Sequence, residues 1–156
     1  MPKIEVAKIP WTNFASYPKE FAPVIAGREK QKLGDAVELS QFGVNLARIK
    51  ARSKSALRHW HESEDEFIYM LEGELVLHED SGETVLKPGD AAGWRANGGN
   101  GHCLINRGNS DAVYLEVGTR LVNETVIYSD IDMRLERDKT GARYLHKTGE
   151  PYPPRK

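Results

Sequence analysis

The chain has 156 residues, 39% of them hydrophobic and 29% charged, a composition typical of one globular domain in water. Its 22 basic and 23 acidic side chains nearly cancel, which argues against electrostatic binding of nucleic acid or of an anionic membrane surface. No apolar run approaches the ~20 residues that a membrane-spanning helix needs, and the single cysteine, Cys103, excludes an intrachain disulfide, so we expect a cytoplasmic protein.

The first forty residues differ from the rest of the chain. The stretch from residue 9 to residue 35 carries three of the eight prolines, scattered aromatic residues and no sustained hydrophobic period. We predict that residues 1–40 form an extended arm with one short helical turn, which packs on its own barrel or on a partner subunit. The aromatic residues expected to anchor this arm are Trp11, Phe14, Tyr17 and Phe21.

From about residue 42 the sequence changes to short apolar segments separated by turn residues. The first, FGVNLARIK, alternates apolar and polar positions, and EFIYML is rich in β-branched and aromatic residues. ELVLHE and ETVLK flank a DSG turn, KPGD marks another turn, and HCLIN, AVYLEVGT and NETVIYSDIDM are further candidate strands. We predict an antiparallel sandwich or barrel over residues 41–128, with a last strand and a surface tail over residues 129–156.

The stretch RHWHESEDEFIYML places two histidines, His59 and His61, in a segment with strand character. Side chains in a strand alternate faces, so both imidazoles project to one side, about 6.6–7 Å apart along the chain, and Trp60 points the other way. Two rings at that spacing can both tilt onto one ion at about 2.0–2.1 Å. An isolated pair of this kind is weak evidence, because surface exposure or core packing explains most such pairs.

Two later residues can return to the same cavity. Glu66 opens the next strand and shares a face with Ile68 and Met70. Farther along the chain, the HCLIN strand begins with His102, whose side chain can also face inward. Cys103 takes the opposite face there and is expected to be a core residue. Three histidines and one glutamate on inward strand positions form a plausible metal site.

The acidic residues between the histidines and Glu66 have two interpretations. Glu62, Glu64 and Asp65 have the polarity of a tight, solvated connection, which is the interpretation we favour. In the alternative, one of them lies close to the metal and transfers a proton.

At this point the chain resembles the cupin superfamily, and in particular its small single-domain bacterial members of the sugar-phosphate-isomerase-like type. The resemblance covers residues 42–120. Its first motif matches His59, His61, Glu66 and Gly73, and its second matches Gly82, the KPGD turn, His102 and Asn106. Two positions depart from the pattern: Ser53 replaces the glycine expected before the first histidine, and the segment between Gly89 and His102 is longer and contains NGGNG.

The resemblance implies an all-β fold, an antiparallel jelly-roll (double-stranded β-helix) barrel with an extended N-terminal arm. It also implies one divalent metal ion inside the barrel, bound by His59, His61, Glu66 and His102. Imidazole with one carboxylate suits Zn, Mn, Fe, Co or Ni, and the ligand set alone does not choose among them. An ion that accepts five or six ligands keeps one or two positions for water or a small-molecule substrate.

Isomerase or epimerase chemistry on a small polar hydroxylated substrate, such as a sugar phosphate, is the leading hypothesis that follows from the resemblance. The metal would polarise a carbonyl, and a nearby base, for which Glu62 and Tyr69 are the candidates, would move the proton. An anionic substrate would need cations at the barrel mouth, and the available arginines are Arg48, Arg58, Arg95 and Arg120.

Two other functions stay open. The same ligands could hold iron in an Fe(II) dioxygenase, which iron in the purified protein and oxygen uptake would favour. A small-ligand-binding or sensing cupin without enzymatic activity is the third hypothesis, and tight binding without conversion would favour it. We also expect a homodimer, because a second subunit would cover the exposed edges of such a barrel.

Overall fold

The computed structural model describes residues 3–14 and 16–153, which form twelve β-strands and three short 3₁₀ turns. The strands are β1 (Arg28–Lys32), β2 (Phe42–Ile49), β3 (His59–His61), β4 (Glu66–Glu72), β5 (Leu75–Glu79), β6 (Gly82–Leu86), β7 (Ala91–Trp94), β8 (Cys103–Ile105), β9 (Ala112–Thr119), β10 (Glu124–Tyr128), β11 (Arg134–Asp138) and β12 (Gly141–Leu145). The 3₁₀ turns span Val6–Lys8, Ala22–Ile25 and Asp35–Val37. Among the described residues, no helix has the length and hydropathy that crossing a membrane requires.

The strands pair in three antiparallel sheets. A five-stranded sheet has the order β1-β2-β9-β4-β7, a four-stranded sheet the order β12-β11-β10-β3, and a three-stranded sheet the order β6-β5-β8. Isolated bridges join the three-stranded sheet to neighbouring segments, at Lys54 with Ile105 and at His59 with His102. The predicted all-β antiparallel jelly-roll barrel is therefore confirmed.

The main core lies between the five-stranded and the three-stranded sheets. Strand β4 shows why: Ile68 and Met70 point inward and are buried, while Phe67, Tyr69 and Leu71 alternate outward. The residues that fill this core are Ala47, Ile49, Ile68, Met70, Leu75, Leu77, Leu86, Leu104, Ala112 and Tyr114. Full burial of such a side chain stabilises the fold by about 1.5–3 kcal/mol.

A second core holds the N-terminal arm against the four-stranded sheet. Tyr17 is buried, and its ring packs edge-on against Tyr128 at 5.6 Å and Tyr144 at 5.8 Å between centroids. The Leu57 amide donates a 3.2 Å hydrogen bond to the Tyr17 hydroxyl, which satisfies the polar end of the buried ring. Phe21 is half-buried in the same cluster. Tyr17 and Phe21 thus lie where aromatic anchors of the arm were expected.

The other two aromatic residues of the arm behave differently. Trp11 lies under the guanidinium of Arg48, with 4.3 Å from the ring centroid to the Arg48 Cζ atom. Phe14 is 72% exposed, so it does not anchor the arm to its own barrel, and anchoring to a partner subunit stays a prediction. Lys32 places its ammonium 5.6 Å from the Phe14 ring centroid, which is a surface contact.

The arm also contains a strand that the sequence analysis missed. Strand β1 has the sequence REKQK, without one apolar residue, so it carries no hydrophobic period. It forms because its backbone pairs with β2 in antiparallel register from Arg28 opposite Ile49 to Lys32 opposite Asn45. Thr12 then exchanges backbone hydrogen bonds with Lys30 at 3.0 and 2.9 Å, which covers part of this edge strand.

Candidate metal centre

Three separate segments bring the predicted ligands together. Strand β3 pairs with β10, with His61 opposite Val126 and His59 opposite Tyr128, so both imidazoles share one face. His102 lies beside β3, because its backbone exchanges hydrogen bonds of 3.1 and 2.9 Å with His59. Glu66 is the first residue of β4 and projects from the five-stranded sheet into the same space.

The side-chain distances define one compact group. His102 Nε2 lies 2.8 Å from Glu66 Oε2, and His61 Nε2 lies 3.5 Å from Glu66 Oε1. The His59 ring centroid is 5.2 Å from those of both His61 and His102. Potential ligand atoms of His59, His61 and Glu66 all lie within 4.8 Å of one another. Since an ion bound at about 2.1 Å separates its ligand atoms by about 3–4 Å, small side-chain shifts would suffice to bind one.

The contacts of the Nδ1 atoms show which nitrogen of each imidazole faces the proposed metal position. His59 Nδ1 lies 2.7 Å from the Leu57 carbonyl oxygen, which can only accept, so Nδ1 carries the proton and Nε2 keeps its lone pair. His102 Nδ1 similarly lies 3.5 Å from the Asn100 carbonyl oxygen. All three histidines therefore present Nε2 to the interior, the nitrogen that a metal would need.

Burial and neighbouring charges shift the pKa values of three members of this group. Burial lowers the pKa of His59 to about 4, so this imidazole is neutral at neutral pH. Burial alone would raise the pKa of Glu66, but hydrogen bonds from His102 and His61 hold it well below its usual range. For His61, burial lowers the pKa, but the carboxylates of Glu66, Glu124 and Glu64 together more than compensate, so the pKa of His61 is raised.

A stacked tryptophan orients His102. The rings of Trp94 and His102 are 3.7 Å apart at the centroids and only 4° from parallel. Trp94 Nε1 donates a 2.8 Å hydrogen bond to Glu79 Oε1, which also accepts from Asn100 Nδ2 at 2.9 Å. The long NGGNG segment is thereby tied to the barrel next to His102, which lies in the group although this segment departs from the motif.

The two predicted catalytic residues lie outside this group. Glu62 is exposed, and Tyr69 is 41% exposed on the outer face of β4, opposite in parity to Glu66. Neither side chain lines the cavities of about 90 and 210 Å³ that the histidines of this group line. By contrast, Glu64, which was expected in a solvated turn, is buried beside His61, where it accepts hydrogen bonds from the Leu121 amide at 2.7 Å and from Arg137.

Sequence reasoning missed a charged pair inside the barrel. A cavity of about 90 Å³ is lined by His59, Glu66 and His102, and also by Lys30 and Glu116. Lys30 comes from β1, which had no strand signal, and Glu116 comes from an otherwise apolar strand, AVYLEVGT. A glutamate on the inward face of such a strand is the one signal that could have identified it.

Of the four arginines named from the sequence, three form ion pairs, and the Arg120 pair joins it to Asp35 at 2.7 Å. Arg48 pairs with Glu29 at 2.6 Å, and Arg58 bonds Asp80 and Asp130. Arg95 lines a cavity of about 210 Å³ together with His61 and Glu66, and Arg120 lines one of about 270 Å³ together with Glu66 and Glu116. Glu66 thus lies where the inner cavity and two outer cavities meet.

Comparisons with known proteins agree with this architecture. A cupin-domain family model matches residues 45–118. A crystal structure from Silicibacter pomeroyi, named a sugar phosphate isomerase from a cupin superfamily, is 43% identical, covers 96% of each chain and superposes with a TM-score of 0.94. A structure from Acidithiobacillus ferrooxidans, provisionally named a sugar phosphate isomerase, is 30% identical over 78% of this chain and 77% of its own, with a TM-score of 0.73.

A curated relative carries a different name. The oxalate-binding protein of Thermotoga maritima is 37% identical over 78 residues, which are 47% of this chain and 63% of that protein. The chain therefore matches less than two thirds of this relative's length. The high identity to the Silicibacter pomeroyi structure over nearly the whole of both chains nevertheless shows the family. This chain belongs to the cupin superfamily.

Proposed function

We propose that this protein is a metal-dependent enzyme of isomerase or epimerase type, with a small hydroxylated substrate of the sugar phosphate class. We call the four proposed ligands, His59, His61, Glu66 and His102, the histidine–glutamate group. The observation that carries the proposal is that Lys30 and Glu116 line the same cavity as three members of this group. Proton transfer next to a polarised carbonyl needs this combination of a base and an electrophile. The name of the Silicibacter pomeroyi relative supports the substrate class.

The residues that would hold the metal are His59, His61, Glu66 and His102. Imidazole rings whose Nδ1 atoms face backbone carbonyls, at His59 and His102, together with the Glu66 carboxylate fit a divalent ion of the Zn, Mn, Fe, Co or Ni type. When bound, such an ion supplies Lewis acidity toward a substrate carbonyl oxygen. Metal analysis of the purified protein would identify the ion. Iron, together with oxygen uptake on adding a substrate, would favour the dioxygenase hypothesis.

Glu116 is the base that we assign. Its Oε1 atom accepts hydrogen bonds from Lys30 Nζ at 2.5 Å and from Asn45 Nδ2 at 2.7 Å. Within the described residues these bonds use only Oε1, so the second oxygen can take a proton. Lys30 and Glu116 form an ion pair, and a carboxylate is a group that can accept the substrate proton.

The sheet register places Glu116 close to Glu66. On β9, Gly118 lies opposite Glu66 and Glu116 lies opposite Ile68, so Glu116 is the diagonal inward neighbour of Glu66. Diagonal neighbours across antiparallel strands are about 7–8 Å apart at Cα. A substrate held at the histidine–glutamate group can therefore extend its adjacent carbon toward the Glu116 carboxylate.

In the proposed isomerisation, one proton moves between two neighbouring carbons of the substrate, with Glu116 as its carrier. Glu116 takes the proton from the hydroxyl-bearing carbon next to the carbonyl, and the C–H electron pair becomes the double bond of an enediol. The same carboxyl group returns the proton to the former carbonyl carbon, while the hydroxyl proton moves to the former carbonyl oxygen. Arg95 is exposed beside the 210 Å³ cavity and is the cation that we assign to the substrate phosphate.

The Glu116→Gln variant tests this proposal. We expect the wild-type protein, loaded with Mn(II), to interconvert one aldose and ketose phosphate pair of a panel and to exchange the transferred proton with D₂O. Because the amide cannot accept the proton, kcat should fall ~100-fold or more, while Mn(II) affinity stays unchanged. NMR of the substrate in D₂O measures both turnover and exchange.

The matched control is Glu29→Gln on β1, next to Lys30, which removes ion pairs with Arg48 at 2.6 Å and Lys50 at 3.0 Å on the outer face of the sheet. Its turnover should equal that of the wild type. Turnover that survives in Glu116→Gln would exclude Glu116 as the base. A wild-type protein that turns over no member of the panel with any of the five metals would refute the isomerase proposal.

One observation favours a second function, a binding protein for small carboxylates. The Thermotoga maritima relative is named for oxalate binding, and oxalate carries two adjacent oxygens suited to an ion with vacant positions. Titration calorimetry of the Mn(II)-loaded protein with oxalate separates the two functions. Tight binding together with no turnover of the sugar phosphate panel would support the binding function and contradict the enzymatic one.

We also propose that a second copy of this chain covers the outer face of the five-stranded sheet. Phe67, Tyr69 and Leu71 are 45%, 41% and 42% exposed there, although outward positions of a solvated sheet are normally polar. Their register neighbours on β9, Leu115 and Val117, extend the apolar face. With a net charge of only −1, two copies repel each other little.

The expected mass by light scattering at micromolar concentration is that of a homodimer, twice 17.5 kDa. Tyr69→Glu should shift the protein to the monomer, because a carboxylate in this apolar face would be buried unpaired. Val85→Glu, at a 49% exposed position of the three-stranded sheet, is the control that should leave the dimer intact. A monomeric wild type would contradict the proposal.

A further inference from the structure

A buried carboxylate lies behind His61, on the side away from the proposed metal position. The Glu124 side chain has no exposed surface, and its Oε1 atom is 3.5 Å from His61 Nδ1. Within residues 3–14 and 16–153, neither His61 Nδ1 nor Glu124 Oε2 has a hydrogen-bond partner. Buried polar atoms without hydrogen-bond partners cost stability, and the two residues that carry these atoms are neighbours.

The strand register explains the placement. On β10, Glu124, Val126 and Tyr128 share the buried face, and Val126 lies directly opposite His61 on β3. Glu124 is therefore the diagonal neighbour of His61 and backs its ring. Its one described hydrogen bond is from the Ser63 amide, at 3.4 Å.

Glu64 is the other carboxylate near this nitrogen, but its bonding differs. Its Oε2 atom is 3.9 Å from His61 Nδ1, farther than Glu124, and its Oε1 atom accepts from the Leu121 amide and from Arg137. Arg137 thus neutralises Glu64. No arginine or lysine of the described residues forms an ion pair with Glu124, so its charge has only His61 as a potential cationic partner.

We propose that Glu124 is the positioning residue of the metal site: it accepts the Nδ1 proton of His61 and so keeps the His61 Nε2 lone pair directed at the metal. The inference rests on the metal site of the proposed function but not on its isomerase chemistry. A cation at Nε2 withdraws charge from the ring, makes Nδ1–H a stronger donor and compensates the buried carboxylate. Nδ1 of His59 and of His102 faces a backbone carbonyl instead, whereas Nδ1 of His61 faces side-chain carboxylates.

The Glu124→Gln variant tests the role. We expect its affinity for Zn(II), measured by competition with a chromophoric chelator, to fall 10- to 100-fold, since loss of such partners has this effect on metal sites. The metal-free variant should unfold at a temperature no lower than the wild type, because a buried unpaired charge has been removed. The Glu124→Asp variant, which keeps the carboxylate, should recover part of the lost affinity.

Glu64→Gln is the contrasting variant. It leaves the Arg137 guanidinium without its carboxylate, so it should lower the unfolding temperature and change Zn(II) affinity less than Glu124→Gln does. A Glu124→Gln variant that loses stability and keeps wild-type affinity would show a purely structural role and overturn the inference.

Two further results would overturn it. His61, Glu64 and Glu124 offer ligand atoms within 4.8 Å of one another, so they could themselves hold a cation. Two Zn(II) ions per wild-type chain, one of them lost in Glu124→Gln, would make Glu124 a ligand and not a positioning residue. A wild type that binds no Zn(II) would remove the metal site and this inference together, whereas a wild type that binds Zn(II) without turnover affects only the isomerase proposal.

Discussion

Replacing Glu66 with glutamine is expected to weaken the binding of a divalent metal at least ~100-fold, which corresponds to about 2.7 kcal/mol. Glu66 is the only anionic member of the proposed ligand set, and its two oxygens face His102 at 2.8 Å and His61 at 3.5 Å. An uncharged amide keeps the shape but loses the attraction between carboxylate and cation. Metal content after dialysis and a chelator competition titration measure the loss.

The control for this substitution is Glu72→Gln. Glu72 ends the same strand, β4, but is exposed and distant from the histidines, so its variant should bind metal like the wild type. If Glu66→Gln purified with a full complement of metal at wild-type affinity, Glu66 would not be a ligand. The four-residue site would then have to be reassigned.

Replacing Gly73 with alanine is expected to reduce the free energy of unfolding by about 3 kcal/mol. Gly73 has a φ of +73°, which costs an alanine about 1–2 kcal/mol. A Cβ atom there would also lie 2.7 Å from the Asp111 carbonyl oxygen and 2.8 Å from the Ala112 Cα. These are backbone atoms that cannot turn aside, so overpacking adds about 1–3 kcal/mol. Urea unfolding followed by circular dichroism measures the change.

Gly99→Ala separates the two contributions. Gly99 has nearly the same φ, +71°, and a Cβ there would meet nothing within 4 Å. Its variant should therefore show only the conformational cost, and the difference between the two variants is the cost of the close approach. Equal stabilities of the two variants would show that the contact with residues 111 and 112 relaxes freely.

Much of the barrel could be predicted because its strands carry a local pattern. The alternation in EFIYML gave the correct inward and outward faces of β4, and the DSG turn correctly separated β5 from β6. The shared face of His59 and His61 follows from the same period of two. The direction in which each strand side chain points depends on a few neighbouring residues, so it can be predicted without knowing how the rest of the chain folds.

Strand β1 could not be predicted, because its side chains are all polar and its place in the sheet is set by backbone pairing with the distant strand β2. The proposed base Glu116 and its partner Lys30 are 86 residues apart in sequence and meet only through the register of β1, β2 and β9. The two candidate bases chosen for their closeness in sequence to the histidines, Glu62 and Tyr69, point elsewhere.

The sequence by itself determined the fold class and the four candidate ligands, since strand periodicity and motif spacing are properties of short segments. Only the tertiary structure decided which carboxylates surround those ligands: Glu64 and Glu124 are 60 residues apart, yet both reach His61. Burial and charge pairing depend on which distant strands lie side by side. The packing of the whole barrel determines which strands are neighbours, so these contacts cannot be predicted from any short stretch of residues.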